Sequence, residues 1–189
     1  KTYKRVQTYF DRFSESDEEE IINGTLMPKV FELLERVPWD SLATGTPVRM
    51  HGDLHFENIL MAETGEFYLL DWRQNFGGLI EYGDIYYDLA KLLHGLIVSH
   101  ELVNKECYDI KKIDNVISFD LHRKNSLVNN EEQFFLYLKN KGYDSNKVLI
   151  LTALIFLNIA ALHHDPYSKM LFYLGKEMLY NILEENYGT

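Results

Sequence analysis

A mainly helical α+β domain with short β-hairpins is the fold class predicted by this 189-residue sequence. Three observations predict it. Both ends of the chain repeat apolar residues at helical spacing, a central stretch has the short apolar runs and turn residues of a hairpin, and a second hairpin pattern precedes the closing helices. With 46% hydrophobic and 14% aromatic residues, the chain can bury one real core, so residues 1–189 are expected to form a single domain.

Taken in order, "KTYKRVQTYFDRFS" sets Tyr3, Val6, Tyr9, Phe10 and Phe13 at a helical period, and the acidic "SESDEEE" can start another short helix. Its "DEEE" run reads as a solvated face. In "LMPKVFELLERVP", Pro28 stands near a helix start and Pro38 just beyond its end, so the first forty residues are expected to be mainly helical. "TPVRM" and "NILMA" are strand-like, as is "GEFYLLDW", with "ETGE" as the turn between the last two. "GDIYYDLAKLLHGLIVSHELV" returns to helical spacing with a cap near Asp84. "CYDIKKIDNVISFDLHR" has a hairpin's partial alternation about a "DN" turn. Three helices close the chain: "NNEEQFFLYLKNKG" with Gly142 at its end, the apolar run Val148 to His163, and the stretch from Pro166.

Composition excludes several function classes. A formal charge of -10 argues against binding nucleic acid, which relies on Lys and Arg to neutralise phosphates. A lone Cys107 forms no internal disulfide and offers no zinc ribbon, which points to a reducing cytoplasm. The run from Val148 is interrupted by Thr152 and Asn158 and falls short of the roughly 20 residues of a membrane span, so no membrane association is expected. The chain opens on Lys1 rather than Met, as expected of a processed product or an excised part of something longer.

Chemistry concentrates in "VRMHGDLHFENILMAETGEFYLLDWRQ". Asp53 and Asn58 stand close in sequence and Asp71 follows a hairpin, so three oxygen-bearing side chains can converge on one pocket. Such oxygens suit Mg²⁺ alongside substrate phosphates, and a remaining carboxylate can orient a hydroxyl, the division of labour that phosphoryl transfer needs. A second reading uses His51, Asp53 and His55 as zinc or iron ligands of a metallohydrolase, although no later HxxxH pair completes that set.

The order His51-Gly-Asp53-Leu-His-Phe-Glu-Asn58, then Asp71-Trp72, Gly83-Asp84 and Asp88-Leu89-Ala90, resembles the aminoglycoside phosphotransferase and choline kinase group of protein-kinase-like enzymes. The resemblance runs from about Leu26 to Val98. The wording "DWRQNFGG" and "YGDIYYDLAKLLHG" also resembles a branch found among bacterial capsule and surface-polysaccharide biosynthesis proteins. The resemblance implies ATP and Mg²⁺ as cofactors and a small-molecule acceptor such as a sugar, an amino alcohol or an aminoglycoside. It implies Asp53 as the catalytic aspartate, Asn58 and Asp71 as Mg²⁺ ligands, and His51 and Asp88 as supports of the catalytic loop. Many relatives carry an acidic residue where this chain has Arg73, which could pair with Asp84 or meet a substrate anion. His163, His164 and Asp165 end an apolar helix, either as a polar terminus or as a wall of the acceptor site. Net acidity slightly favours a cationic acceptor.

Only fifty residues precede His51, and they contain no glycine-rich loop and read as helices. The expectation is therefore a carboxy-terminal lobe whose amino-terminal nucleotide lobe is missing, inactive alone, with an exposed surface prone to self-association. The rival expectation is a non-catalytic binding or scaffold module that has kept the same fold.

Overall fold

The computed structural model describes residues 1–187, and its architecture is α+β. Helix α1 (Thr2–Phe13) leads to a tight hairpin of β1 (Glu20–Ile22) and β2 (Thr25–Met27), then α2 (Val30–Arg36) and α3 (Trp39–Ala43). The candidate segment follows, with β3 (Pro47–Val48), a 3-10 turn (Phe56–Asn58), and the hairpin of β4 (Ile59–Met61) and β5 (Phe67–Leu69). Next come β6 (Gly83–Asp84), α4 (Ile85–Ile97), α5 (His100–Asn104), β7 (Tyr108–Ile113) and β8 (Val116–Leu121). Three long helices end the chain: α6 (Asn125–Lys141), α7 (Ser145–Ala160) and α8 (Tyr167–Tyr187). No helix among the described residues is long and apolar enough to cross a membrane.

Helix α7 organises the packing because its apolar residues surround it on all sides, as a helix buried between others requires. Its Ile150, Ala153, Phe156 and Leu157 join a core built with α1, α2 and α8, while Val148 and Ile155 join a second cluster with α4 and α6. Gly175 lets α8 cross α7 closely, since a Cβ there would sit 3.0 Å from the Ala153 carbonyl oxygen. Within the first core Tyr9 stacks on Phe172 with ring centroids 4.1 Å apart.

Three expectations are corrected and one is extended. The "SESDEEE" stretch forms no helix. It leads into β1, because Asn23 and Gly24 both adopt positive φ and close a two-residue hairpin turn in "IINGTLM", so the first forty residues are not simply helical. The "DEEE" run is not a uniformly solvated face either. Asp17 accepts hydrogen bonds from the Val30 and Phe31 amides at the start of α2, and Glu20 is buried beside Lys176 and Lys112. The helix expected from Gly83 to Val103 is two helices broken at Val98 and Ser99. Finally, the "DN" hairpin of β7 and β8 forms as expected, but β8 also pairs in parallel with β1, giving one four-stranded sheet in the order β2-β1-β8-β7.

Candidate active site

The loop between β3 and the 3-10 turn carries His51 to Asn58, and its shape is fixed from beneath by α4. Asp84 begins that helix as its N-cap, accepting from the Tyr86 amide and also from the Thr46 amide across the β3–β6 pair. One turn on, the buried Asp88 carboxylate receives the His51 and Gly52 amides, each at 2.7 Å. Burial raises the Asp88 carboxyl above the ordinary range, against those two donors and the Arg73 charge, which act to lower it. Gly52 has φ +82°, and a Cβ there would lie 2.5 Å from the Arg73 Cβ, so both backbone conformation and space call for glycine.

His51 ties the two polar loops together. The Asp53 amide donates to its Nδ1, which leaves the proton on Nε2, and that nitrogen donates to the Leu70 carbonyl at 2.6 Å. The Arg73 amide donates back to the His51 carbonyl, and the Leu70 amide to that of Asn58. Asp71 therefore follows β5 directly opposite the His51 loop, exposed and in the left-handed region at φ 54°. Asn58 is buried and donates through Nδ2 to the Asp53 carbonyl, which leaves its Oδ1 as an uncommitted acceptor.

Asp53 stands between two cavities. One, of about 530 Å³, is an open cleft lined by Asp53, Asp71, Trp72 and Gln74. The other, of about 490 Å³, lies between Asp53, Lys91 and the flank of α7. Lys91 Nζ is 2.7 Å from Asp53 Oδ1, and His55 Nε2 is 3.5 Å from Oδ2. Burial pushes the Asp53 carboxyl up, but the hydrogen bond and charge of Lys91, with His55 and Arg73, bring it below the usual carboxylate range. His55 in turn donates to Glu57, which also meets His100 at 3.0 Å.

The structure thus brings Asp53, Asn58 and Asp71 together on loops held by His51 and Asp88. The remaining candidates fall into two groups, Arg73 beside the cavities and the others away from them. Arg73 does not pair with Asp84, whose carboxylate is taken up in capping; its guanidinium lies over the Tyr87 ring, 5.0 Å from the centroid. His163, His164 and Asp165 sit in the turn between α7 and α8, where His163 packs edge-on against Tyr167 and Asp165 faces Lys169, and they line neither cavity. The metallohydrolase reading lacks a ligand set: both His51 ring nitrogens are engaged, and among the described residues no three His, Cys, Asp or Glu side chains are grouped to hold a metal ion.

Sequence reasoning missed Lys91, although a signal was available. It lies one helical turn after Asp88, so a helix that aims Asp88 at the loop aims Lys91 there too. Nothing in the sequence marked Arg5 of α1, which the fold brings to the second cavity.

The family model described as the phosphotransferase enzyme family (APH) matches residues 6–104, which span α1 to α5 and contain the entire loop constellation. The chain belongs to that family. No curated protein and no solved structure matches it. Membership in the phosphotransferase family implies phosphoryl transfer to a small molecule, and enzymes of this kind generally use ATP and Mg²⁺.

Proposed function

We propose that this chain is the catalytic-loop and acceptor-binding lobe of an ATP- and Mg²⁺-dependent small-molecule kinase acting on a hydroxyl group. The observation that carries this reading is the position of Asp53, an ionised carboxylate at the junction of a cleft shared with Asp71 and a cavity walled by α7. In the proposed reaction the acceptor lies in the α7 cavity and Asp53 accepts a hydrogen bond from its hydroxyl, aiming the oxygen at the phosphoryl group and taking its proton late. Such transfer rests mostly on positioning, so a weakly basic but rigidly held carboxylate suffices. Lys91 and His55 hold that carboxylate, and Asp88 and His51 hold its loop.

The donor set near Asp53 suits magnesium, since Asn58 Oδ1 and the Asp71 carboxylate are both hard oxygens with no competing protein donor among the described hydrogen bonds. Asn58 and Asp71 would hold Mg²⁺, which neutralises phosphate charge when bound. The nucleotide itself would be gripped mainly by a second lobe. In support, the β4–β5 hairpin and the loop after it expose large apolar side chains, including Met61 (70%), Phe67 (68%) and Ile80 (83%). A patch of this kind marks a surface made to be covered and makes the isolated lobe prone to self-association. The likeness of "YGDIYYDLAKLLHG" to capsule biosynthesis proteins supports a sugar-derived acceptor and a cytoplasmic setting.

The test is an ATP-consumption assay on the full-length protein with sugars, sugar derivatives, amino alcohols and aminoglycosides, run with Asp53→Asn in parallel. Turnover that requires Asp53 is expected. Inactivity with every acceptor would shift the reading to a non-catalytic binding module, and turnover indifferent to Asp53→Asn would remove it from its role.

A further inference from the structure

We infer that the acceptor taken by the α7 cavity is an anion, a hydroxyl compound bearing a phosphate or carboxylate group; this rests on the proposed reading of that cavity as the acceptor site. The chain as a whole is acidic, with a formal charge of -10, yet the polar lining of this cavity has the opposite sign. Four cationic residues, Lys1 just before α1, Arg5 on α1, Arg73 on the loop after β5 and Lys91 on α4, line it together with one carboxylate, Asp53. Only Lys91 has an ionic partner there. Among the described residues neither guanidinium has a carboxylate within ion-pair distance.

The two arginines are not equivalent. Arg73 sits over the Tyr87 ring and donates through Nη2 to the Tyr87 hydroxyl at 3.3 Å, so its planar fork is anchored at one corner while most of its N–H donors remain free. A guanidinium held this way matches the two-oxygen edge of a phosphate or carboxylate. Arg5 reaches the same cavity from α1 and adds its charge there. The rest of the wall is apolar, from Leu154 and Ile155 of α7 with Trp39, and suits the carbon face of a ring. A cationic acceptor would have to approach two unneutralised guanidinium groups in a partly enclosed space, where like charges repel more strongly than in open water. Local charge therefore overrules bulk charge, and the slight preference for cationic acceptors drawn from net acidity is reversed.

The experiment is isothermal titration of the full-length protein with a hexose 6-phosphate, the matching hexuronate, the parent hexose and an aminoglycoside, each with and without saturating ATP. At least one anionic probe is expected to bind about tenfold or more tighter than the hexose. Arg5→Gln should erase most of that advantage, read as the ratio of anionic-probe to hexose affinity in the variant against the same ratio in the parent. Comparison of phosphate with carboxylate tells which anion the site takes. Equal or tighter binding of the hexose or the aminoglycoside would overturn the inference. So would displacement of the anionic probe by ATP, which would place these cations on the phosphate-donor side. Arg5-dependent, ATP-independent anion binding without turnover of any probe would sink the kinase reading and leave the anion site standing.

Discussion

Two lysine–carboxylate pairs in this molecule have the same length and opposite meanings. Lys176 meets Glu20 at 2.7 Å in the core, and Lys91 meets Asp53 at 2.7 Å in the candidate site. The first pair is almost completely buried, with side chains 1% and 5% exposed. It is also saturated: Glu20 receives Lys112 and the Tyr173 hydroxyl as well, and Lys176 donates to the Glu18 carbonyl. The second pair opens on a cavity, and its carboxylate is 32% exposed. Interatomic distance therefore does not separate a structural ion pair from one available for chemistry. What separates them is whether remaining hydrogen-bonding capacity faces protein or open space.

The largest effect should come from breaking the buried pair. Lys176→Met leaves the Glu20 charge short of its closest partner and should cost about 3–5 kcal/mol of folding stability in chemical denaturation, while Glu20→Met with Lys176→Met should recover much of the loss. A single variant as stable as the parent would show that the pair contributes no such constraint. At the site the opposite pattern is expected: Asp53→Asn should lower kcat of the full-length protein by about 10²- to 10⁴-fold while barely moving its melting temperature.

A third test separates burial from pairing. His94 is buried against Phe156 with neither ring nitrogen hydrogen-bonded, and burial, helped by the Lys91 charge, pushes its pKa down to about 3. The unfolded chain takes up a proton near pH 6.5 that the folded chain refuses until about pH 3, so stability is present above pH 6.5 and declines on acidification. The loss should be on the order of 3 kcal/mol by pH 4, and His94→Leu should flatten the part of the acid dependence between pH 6.5 and 5. Smaller again, Lys91→Met should move the acid limb of kcat/KM to higher pH, because Lys91 is what holds the Asp53 carboxyl below its ordinary range against burial. An unmoved limb would detach Lys91 from the reaction. The smallest effect belongs to Lys112, whose side chain is 26% exposed although it touches Glu15 and Glu20. Lys112→Met should cost about 1 kcal/mol or less, confirming that exposure grades the worth of a pair.

What was legible in the sequence follows the range of the interactions concerned. The helices of α1, α2 and α6 to α8 announce themselves by spacing and caps, and Gly142 ends α6 in the left-handed conformation that its position suggested. The His51–Asn58 loop and Asp71 were legible because motif spacing is local. The β1–β2 turn was legible too, in Asn23-Gly24, but the acidic run before it masked the signal. Pairing of β1 with β8 could not be read, since short strands far apart in sequence carry no register information. The charge of the α7 cavity was equally hidden. It is assembled from α1, α4 and a loop, and net charge averages over the whole surface what the fold concentrates at one place.

That distant strand pairing has a consequence for how the chain can be divided. Gly77 and Gly78 form an open loop tip at positive φ, with empty space where a Cβ would stand. A cut there would put α1, β1 and Asp53 on one piece and α4, β8, Asp88 and Lys91 on the other. Each piece alone would lack part of the first core, one strand of the β1–β8 seam and the partner of its own charged residue. Those shared contacts predict that the halves dock on mixing, to be checked by co-elution of the two fragments in size-exclusion chromatography. The fold is thereby a split reporter in waiting, in which association of two fragments is read out as the restoration of one ion pair.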